Sequence, residues 1–167
     1  RLGLATLEAL RISPLHDMLG GGFHRMADLE TWGQPRFEKL AYTNLSLLEA
    51  YVEAYRTTSE ERFFNVANGI LVFIESMLMS DSGLLYTAVD SEGELGDPGS
   101  YYGWSIQDVR EVLDDDEALV TAALTFFGIS QHSVVAGEDE RCYLEERVAP
   151  AQLSMRLARD EEAIVKL

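Results

Sequence analysis

The sequence predicts a mainly α fold built from antiparallel helical hairpins, with a small β excursion near residues 84–104. Three observations predict it: apolar residues recur at helical spacing over two long stretches, a few residues join those stretches, and short β-rich runs interrupted by glycine follow them. The 167 residues are 47% hydrophobic and 25% charged, the composition of an ordinary globular chain with its own core, and a single domain over 1–167 is the expectation.

Taken in order, Leu2–Ile12 reads as a helix interior with no cap ahead of it, which suggests a piece of a longer protein. Phe37, Leu40, Ala41, Leu47, Leu48, Tyr51 and Tyr55 then mark one face of a long helix, with Asn44 its polar interruption. Thr58-Ser59-Glu60-Glu61 has the pattern of a capping box opening the next helix, whose apolar face is Phe63, Ala67, Ile70, Leu71, Ile74 and Leu78. So short a connection makes the two antiparallel neighbours.

Asp81-Ser82-Gly83 ends that helix, and Leu84–Val89 is too short and too rich in β-formers to start another. With Tyr101–Trp104 it is expected to form a small hairpin around the polar loop 90–100. Ser105-Ile106-Gln107-Asp108 is a second capping signature. Asp114–Glu117 sets negative charge where a further helix begins, and that helix runs to Gly128. A polar stretch over 130–140 reads as a loop, and Pro150 suits the first turn of a last helix carrying Leu153 and Leu157.

Charge excludes some partners. Thirteen basic against 29 acidic residues leave a formal charge of −16, which repels nucleic-acid phosphates and anionic lipid. No apolar run reaches the length of a membrane span, and no secretory leader pattern is present, so a soluble, cytoplasmic chain is expected. Cys142, the single cysteine, offers neither an internal disulfide nor a CxxC pair. His16 and His132 have no neighbour at metal-ligand spacing, the acids 90–94 do not fit a calcium loop, and no metal or cofactor is expected. Gly20-Gly21-Gly22 does not open a helix after a strand, and there is no Gly-x-Ser-x-Gly elbow.

The segment richest in chemistry is Gly20-Gly21-Gly22-Phe23-His24-Arg25, followed by Trp32 and by Pro35-Arg36-Phe37-Glu38-Lys39-Leu40-Ala41-Tyr42. A second block is Tyr86–Gly93 with Tyr101-Tyr102-Gly103-Trp104-Ser105 and Asp108–Leu113. Together they resemble the YyaL-type, or spermatogenesis-associated thioredoxin-like, protein family. That resemblance implies part of an (α/α)6 toroid akin to the six-hairpin glycosidases and N-acylglucosamine 2-epimerase-like enzymes, with functional loops at one mouth of the ring. It also implies an N-terminal thioredoxin-like domain in full members, which these residues do not include, so no redox role is expected of them. The remainder of the parent protein would then be a partner, and apolar faces shaped to meet it make self-association an expectation.

On this reading Glu38, Asp90 and Glu92 are the candidate catalytic acids, because glycoside hydrolysis needs two carboxyl groups across the scissile bond. His24, Arg25, Trp32, Lys39, Tyr42 and Trp104 are the candidate ligand-binding residues for a sugar-like molecule. Each has an ordinary structural alternative: Glu38 and Lys39 as first-turn helix residues, His24 and Arg25 as ties for the glycine loop, the aromatics as core. Where the family has a histidine before Phe-Glu-Lys this chain has Arg36, which cannot shuttle protons near neutrality, and Thr43 replaces an aspartate. Those departures favour a competing expectation, a non-catalytic interaction or scaffold domain. Glycosidase- or epimerase-like activity would belong to the whole protein, because an incomplete ring cannot exclude water.

Overall fold

A computed structural model describes residues 2–27, 35–90, 99–129 and 141–157. The chain falls into two compact units, 1–102 and 103–167.

In the first unit, α1 (Leu2–Ile12) leads into the glycine loop and the short strand β1 (Met26–Ala27). β2 (Pro35–Arg36) returns antiparallel to β1, with Met26 opposite Arg36. β3 (Lys39–Leu40) runs directly into α2 (Ala41–Thr58), and α3 (Glu61–Phe73) folds back on α2. One π-helical turn, Ile74–Leu78, continues α3 before β4 (Ala88–Val89).

The hairpin of α2 and α3 is as the periodicity predicts. Its buried seam is Tyr51, Ala54, Phe63, Val66, Ala67, Ile70 and Phe73, against which Leu4, Leu7 and Leu10 of α1 pack. Tyr51 is wholly buried and donates its hydroxyl to the Leu7 carbonyl at 2.7 Å, so the one polar atom it takes inside is satisfied. Leu71 lies on the exposed flank, one position past the seam residue Ile70.

Three local expectations need correction. No capping box forms at Thr58: that residue is still helical, its hydroxyl donates back to the Ala54 carbonyl at 2.8 Å, and Ser59 ends α2 in the left-handed region (φ 59°). Glu38 and Lys39 are not in the first turn of α2, because the chain stays extended through Leu40 to pair with β4. The segments 84–89 and 101–104 contain strands, but not as partners of one another. Lys39 and Leu40 of β3 take Val89 and Ala88, while β5 (Gly103–Trp104) takes β6 (Cys142–Tyr143).

The second unit continues from β5 into α4 (Ile106–Val112), α5 (Glu117–Phe127), β6 and α6 (Pro150–Leu157). The capping box at Ser105 forms in full: Ser105 Oγ accepts from the Asp108 amide, and Asp108 accepts from the Ser105 amide at 2.8 Å. Asp116 caps α5 by accepting from the Ala118 and Leu119 amides, and Gly128 closes it at φ 67°. The core of this unit is Val109, Val120, Ala123, Ile129 and Cys142. The loop expected at 130–140 lies outside the described residues.

Candidate functional site

The glycine loop is held at both ends by side chains that satisfy its backbone. The Asp17 carboxylate accepts from the Leu19 and Gly20 amides at 3.1 and 2.8 Å, an Asx turn that starts the loop. Asn44, fully buried on α2, accepts from the Phe23 amide at 2.7 Å and donates to the Phe23 and Leu40 carbonyls at 3.0 Å. The polar interruption in the α2 apolar face is therefore the clamp that seats the loop on the helix. Gly22, at φ 76°, passes so close to Phe73 that a Cβ would stand 2.6 Å from the ring.

Beneath the loop lies a buried ion pair. Lys39, 3% exposed, donates to Asp17 Oδ2 at 2.6 Å and to the Gly21 carbonyl at 2.8 Å, with the Phe73 ring 4.8 Å and the Tyr102 ring 5.3 Å from its Nζ. Burial pushes the Asp17 carboxyl upward, but the Lys39 ammonium beside it and its hydrogen bonds more than reverse this and leave it low. Burial lowers the Lys39 ammonium despite the pull of Asp17.

His24 closes the same cluster. Its Nδ1 is 3.0 Å from the Phe37 carbonyl, so that nitrogen carries the proton, and its ring meets Phe37 and Tyr102 edge-on. Burial, then the Lys39 charge, push it down to about 4, so it is neutral at physiological pH. His16 is pushed down to about 4 by burial as well, with its Nδ1 on the Arg11 carbonyl and its ring stacked on Phe23. Burial also raises the Tyr102 hydroxyl to about 12.

Strand alternation separates this buried cluster from an outward face. Lys39 and Val89 point inward and end the ladder; Glu38 directly precedes β3, and Asp90, exposed, directly follows β4. Arg25 donates to Glu38 Oε1 at 2.9 Å, with both side chains solvent-facing, and its amide donates to the Glu38 carbonyl at 2.8 Å. Tyr42, in the first turn of α2, is 69% exposed.

The sequence candidates thus divide. Glu38 and Arg25 pair on the solvent side, Asp90 is exposed just past β4 and Tyr42 is exposed just past β3, whereas His24 and Lys39 are committed to internal partners. Trp104 belongs to the second unit, where it packs against the Val109 cluster and its carbonyl accepts from Cys142 Sγ at 3.3 Å. Trp32 and Glu92 lie outside the described residues. Asp17 and Tyr102 were not among the candidates. Asp17 had a legible signal, an aspartate three residues before Gly20, but nothing local shows that Lys39 will reach it. Among the described residues no group of three or more His, Cys, Asp or Glu is placed to hold a metal.

Comparison with known proteins supplies the relationship. The chain is 32% identical over 130 residues to human spermatogenesis-associated protein 20, an alignment covering 75% of this chain. The chain belongs to this family. The mouse spermatogenesis-associated protein 20 is 30% identical over the same length, and an uncharacterised Caenorhabditis elegans protein is 25% identical over 143 residues. The matched region spans only 16% of the human and mouse proteins and 20% of the worm protein. No protein-family profile matches the chain. Among the described residues no helix is long and apolar enough to cross a membrane.

Proposed function

We propose that this part of the spermatogenesis-associated protein 20 family contributes to the mouth of an α/α toroid and binds a polar, sugar-like ligand on the face formed by Arg25, Glu38 and Asp90. The β3–β4 register supports this reading: continued one residue past the Lys39–Val89 pair that ends the ladder, it would set Glu38 across from Asp90. Directly opposed residues place their Cβ atoms roughly 4.5–5.5 Å apart, and two carboxylates on so short a base would repel without compensation. Arg25 supplies it for Glu38. Two carboxylates with a guanidinium beside them supply both acceptors and donors for vicinal hydroxyls. Hydrolysis, or isomerisation, is proposed only for the whole protein.

A second reading, a scaffold that kept the fold without the chemistry, is favoured by the internal commitment of His24 and Lys39 and by Arg36 at a position where a histidine would titrate. Thermal unfolding with a panel of mono- and disaccharides separates the two. Sugar binding raises the melting temperature, as a ligand at 100 times its Kd adds about 2.7 kcal/mol, and Glu38→Gln or Asp90→Asn removes the shift. Glu38→Gln alone leaves the unliganded melting temperature nearly unchanged, since a solvent-facing ion pair contributes at most about 1 kcal/mol. No shift with any sugar supports the scaffold.

A further inference from the structure

The β3–β4 ladder has a second feature at its other end. Tyr42 follows β3 by two residues and Tyr86 precedes β4 by two, and the Ala41 amide donates to the Thr87 carbonyl at 2.9 Å. Both tyrosines therefore stand at the same end of the ladder, opposite to the end that carries Glu38 and Asp90. Their side chains are exposed, Tyr42 by 69% and Tyr86 by 61%, and neither hydroxyl has a hydrogen-bond partner among the described residues. The backbone beneath them is fixed: the Tyr86 amide donates to the Leu78 carbonyl at 2.8 Å, and Met79 bridges to Leu85. Between the two ends stands the Leu40–Ala88 pair, an apolar floor.

We propose that this face is an extended subsite for a neutral oligosaccharide, with Tyr86 and Tyr42 stacking on one sugar ring while Glu38, Asp90 and Arg25 bind the hydroxyls of another. The proposal rests on the sugar-binding reading above and names its ligand class. Length admits a chain of rings: Tyr86 and Asp90 are four positions apart with a bend at Thr87, a span of up to about 13 Å, within reach of two linked rings. Chemistry selects the stacking end, because an amphipathic aromatic offers an apolar face to the sugar C–H bonds and a hydroxyl to its oxygens. Charge selects neutrality. The acids at the far end and the formal charge of −16 repel uronates and sugar phosphates, and Arg25 is already paired with Glu38.

The test is calorimetric titration of the purified protein with glucose, cellotriose, maltotriose, chitotriose and trigalacturonate, repeated for Tyr86→Ala, Tyr86→Phe and Glu38→Gln. Both residues are solvent-facing, and circular dichroism melting confirms that the variants fold. One neutral trisaccharide is expected to bind at least about tenfold tighter than its monosaccharide and than trigalacturonate. Tyr86→Ala should weaken that trisaccharide by about 2- to 12-fold, leave the monosaccharide within about twofold, and Tyr86→Phe should retain most of the affinity. Equal affinity for mono- and trisaccharide, or no effect of Tyr86→Ala where Glu38→Gln still abolishes binding, overturns the platform and leaves the sugar site standing. Absence of binding by every sugar overturns both.

Discussion

Removing one partner of the Asp17–Lys39 pair should be among the most damaging single changes available to the first unit. Lys39 is 3% and Asp17 12% exposed, so little water can replace a lost partner. Lys39→Met leaves the Asp17 carboxylate with only the Leu19 and Gly20 amides; Asp17→Asn leaves the ammonium with only the Gly21 carbonyl and two aromatic rings. Breaking a buried pair from one side costs about 3–5 kcal/mol, because an uncompensated charge remains inside. Asp17→Asn keeps the acceptor for the Asx turn, so its cost falls on the charge and not on the loop. The double variant Asp17→Asn, Lys39→Met leaves no buried charge and should be more stable than the sum of the single losses requires, by about 1–3 kcal/mol. Urea unfolding at pH 7, followed by hydrogen exchange of α3 amides so that the second unit does not enter the signal, measures all four proteins. Single losses below about 1 kcal/mol, or strict additivity in the double variant, would refute the idea that this pair is buried and mutually compensated.

Two further outcomes follow from the same cluster. His16 and His24 have folded values near 4 against an ordinary 6.5, so both are neutral in the fold while the unfolded chain takes up protons below pH 6.5. Their contribution is complete above pH 6.5 and is lost as pH falls toward 4, by up to about 3 kcal/mol per histidine; unfolding midpoints between pH 7 and 4 should fall, and His16→Gln should flatten the slope. Gly22→Ala should destabilise the first unit by about 1–3 kcal/mol, since its φ of 76° disfavours a side chain and the new methyl meets Phe73 at 2.6 Å and Asn44 Oδ1 at 3.0 Å. A thermal melt of Gly22→Ala within 1 °C of the parent chain would contradict that contact.

Much of the helical framework was legible because its signals are local. The seam of α2 and α3 follows from residues three and four apart, and Ser105, Asp116 and Gly128 mark helix ends by chemistry that acts within one turn. The failure at Thr58 is of the same local kind: a threonine hydroxyl can cap a new helix or bond back within the old one, and here the short link let α2 run on to its end.

The candidate site was half legible. Glycines, histidine, arginine and acids near a helix entry singled out the loop, but reading Phe37–Leu40 as helix placed Glu38 and Lys39 wrongly. A strand of two residues has too little periodicity to declare itself, and its existence depends on a partner about 50 residues away, since Lys39 pairs with Val89. That pairing decides everything about the two residues: alternation turns Lys39 inward onto Asp17 and Glu38 outward to Arg25.

By itself, then, the sequence determined the mainly helical class, the α2–α3 hairpin, the caps of α4 and α5 and the acidity that disfavours anionic partners. The tertiary structure alone decided which strands pair, which charged residues are buried and which polar groups face solvent. The physical reason is range: helix periodicity and capping are settled within a few residues, whereas strand register and charge burial depend on segments brought together only when the chain closes.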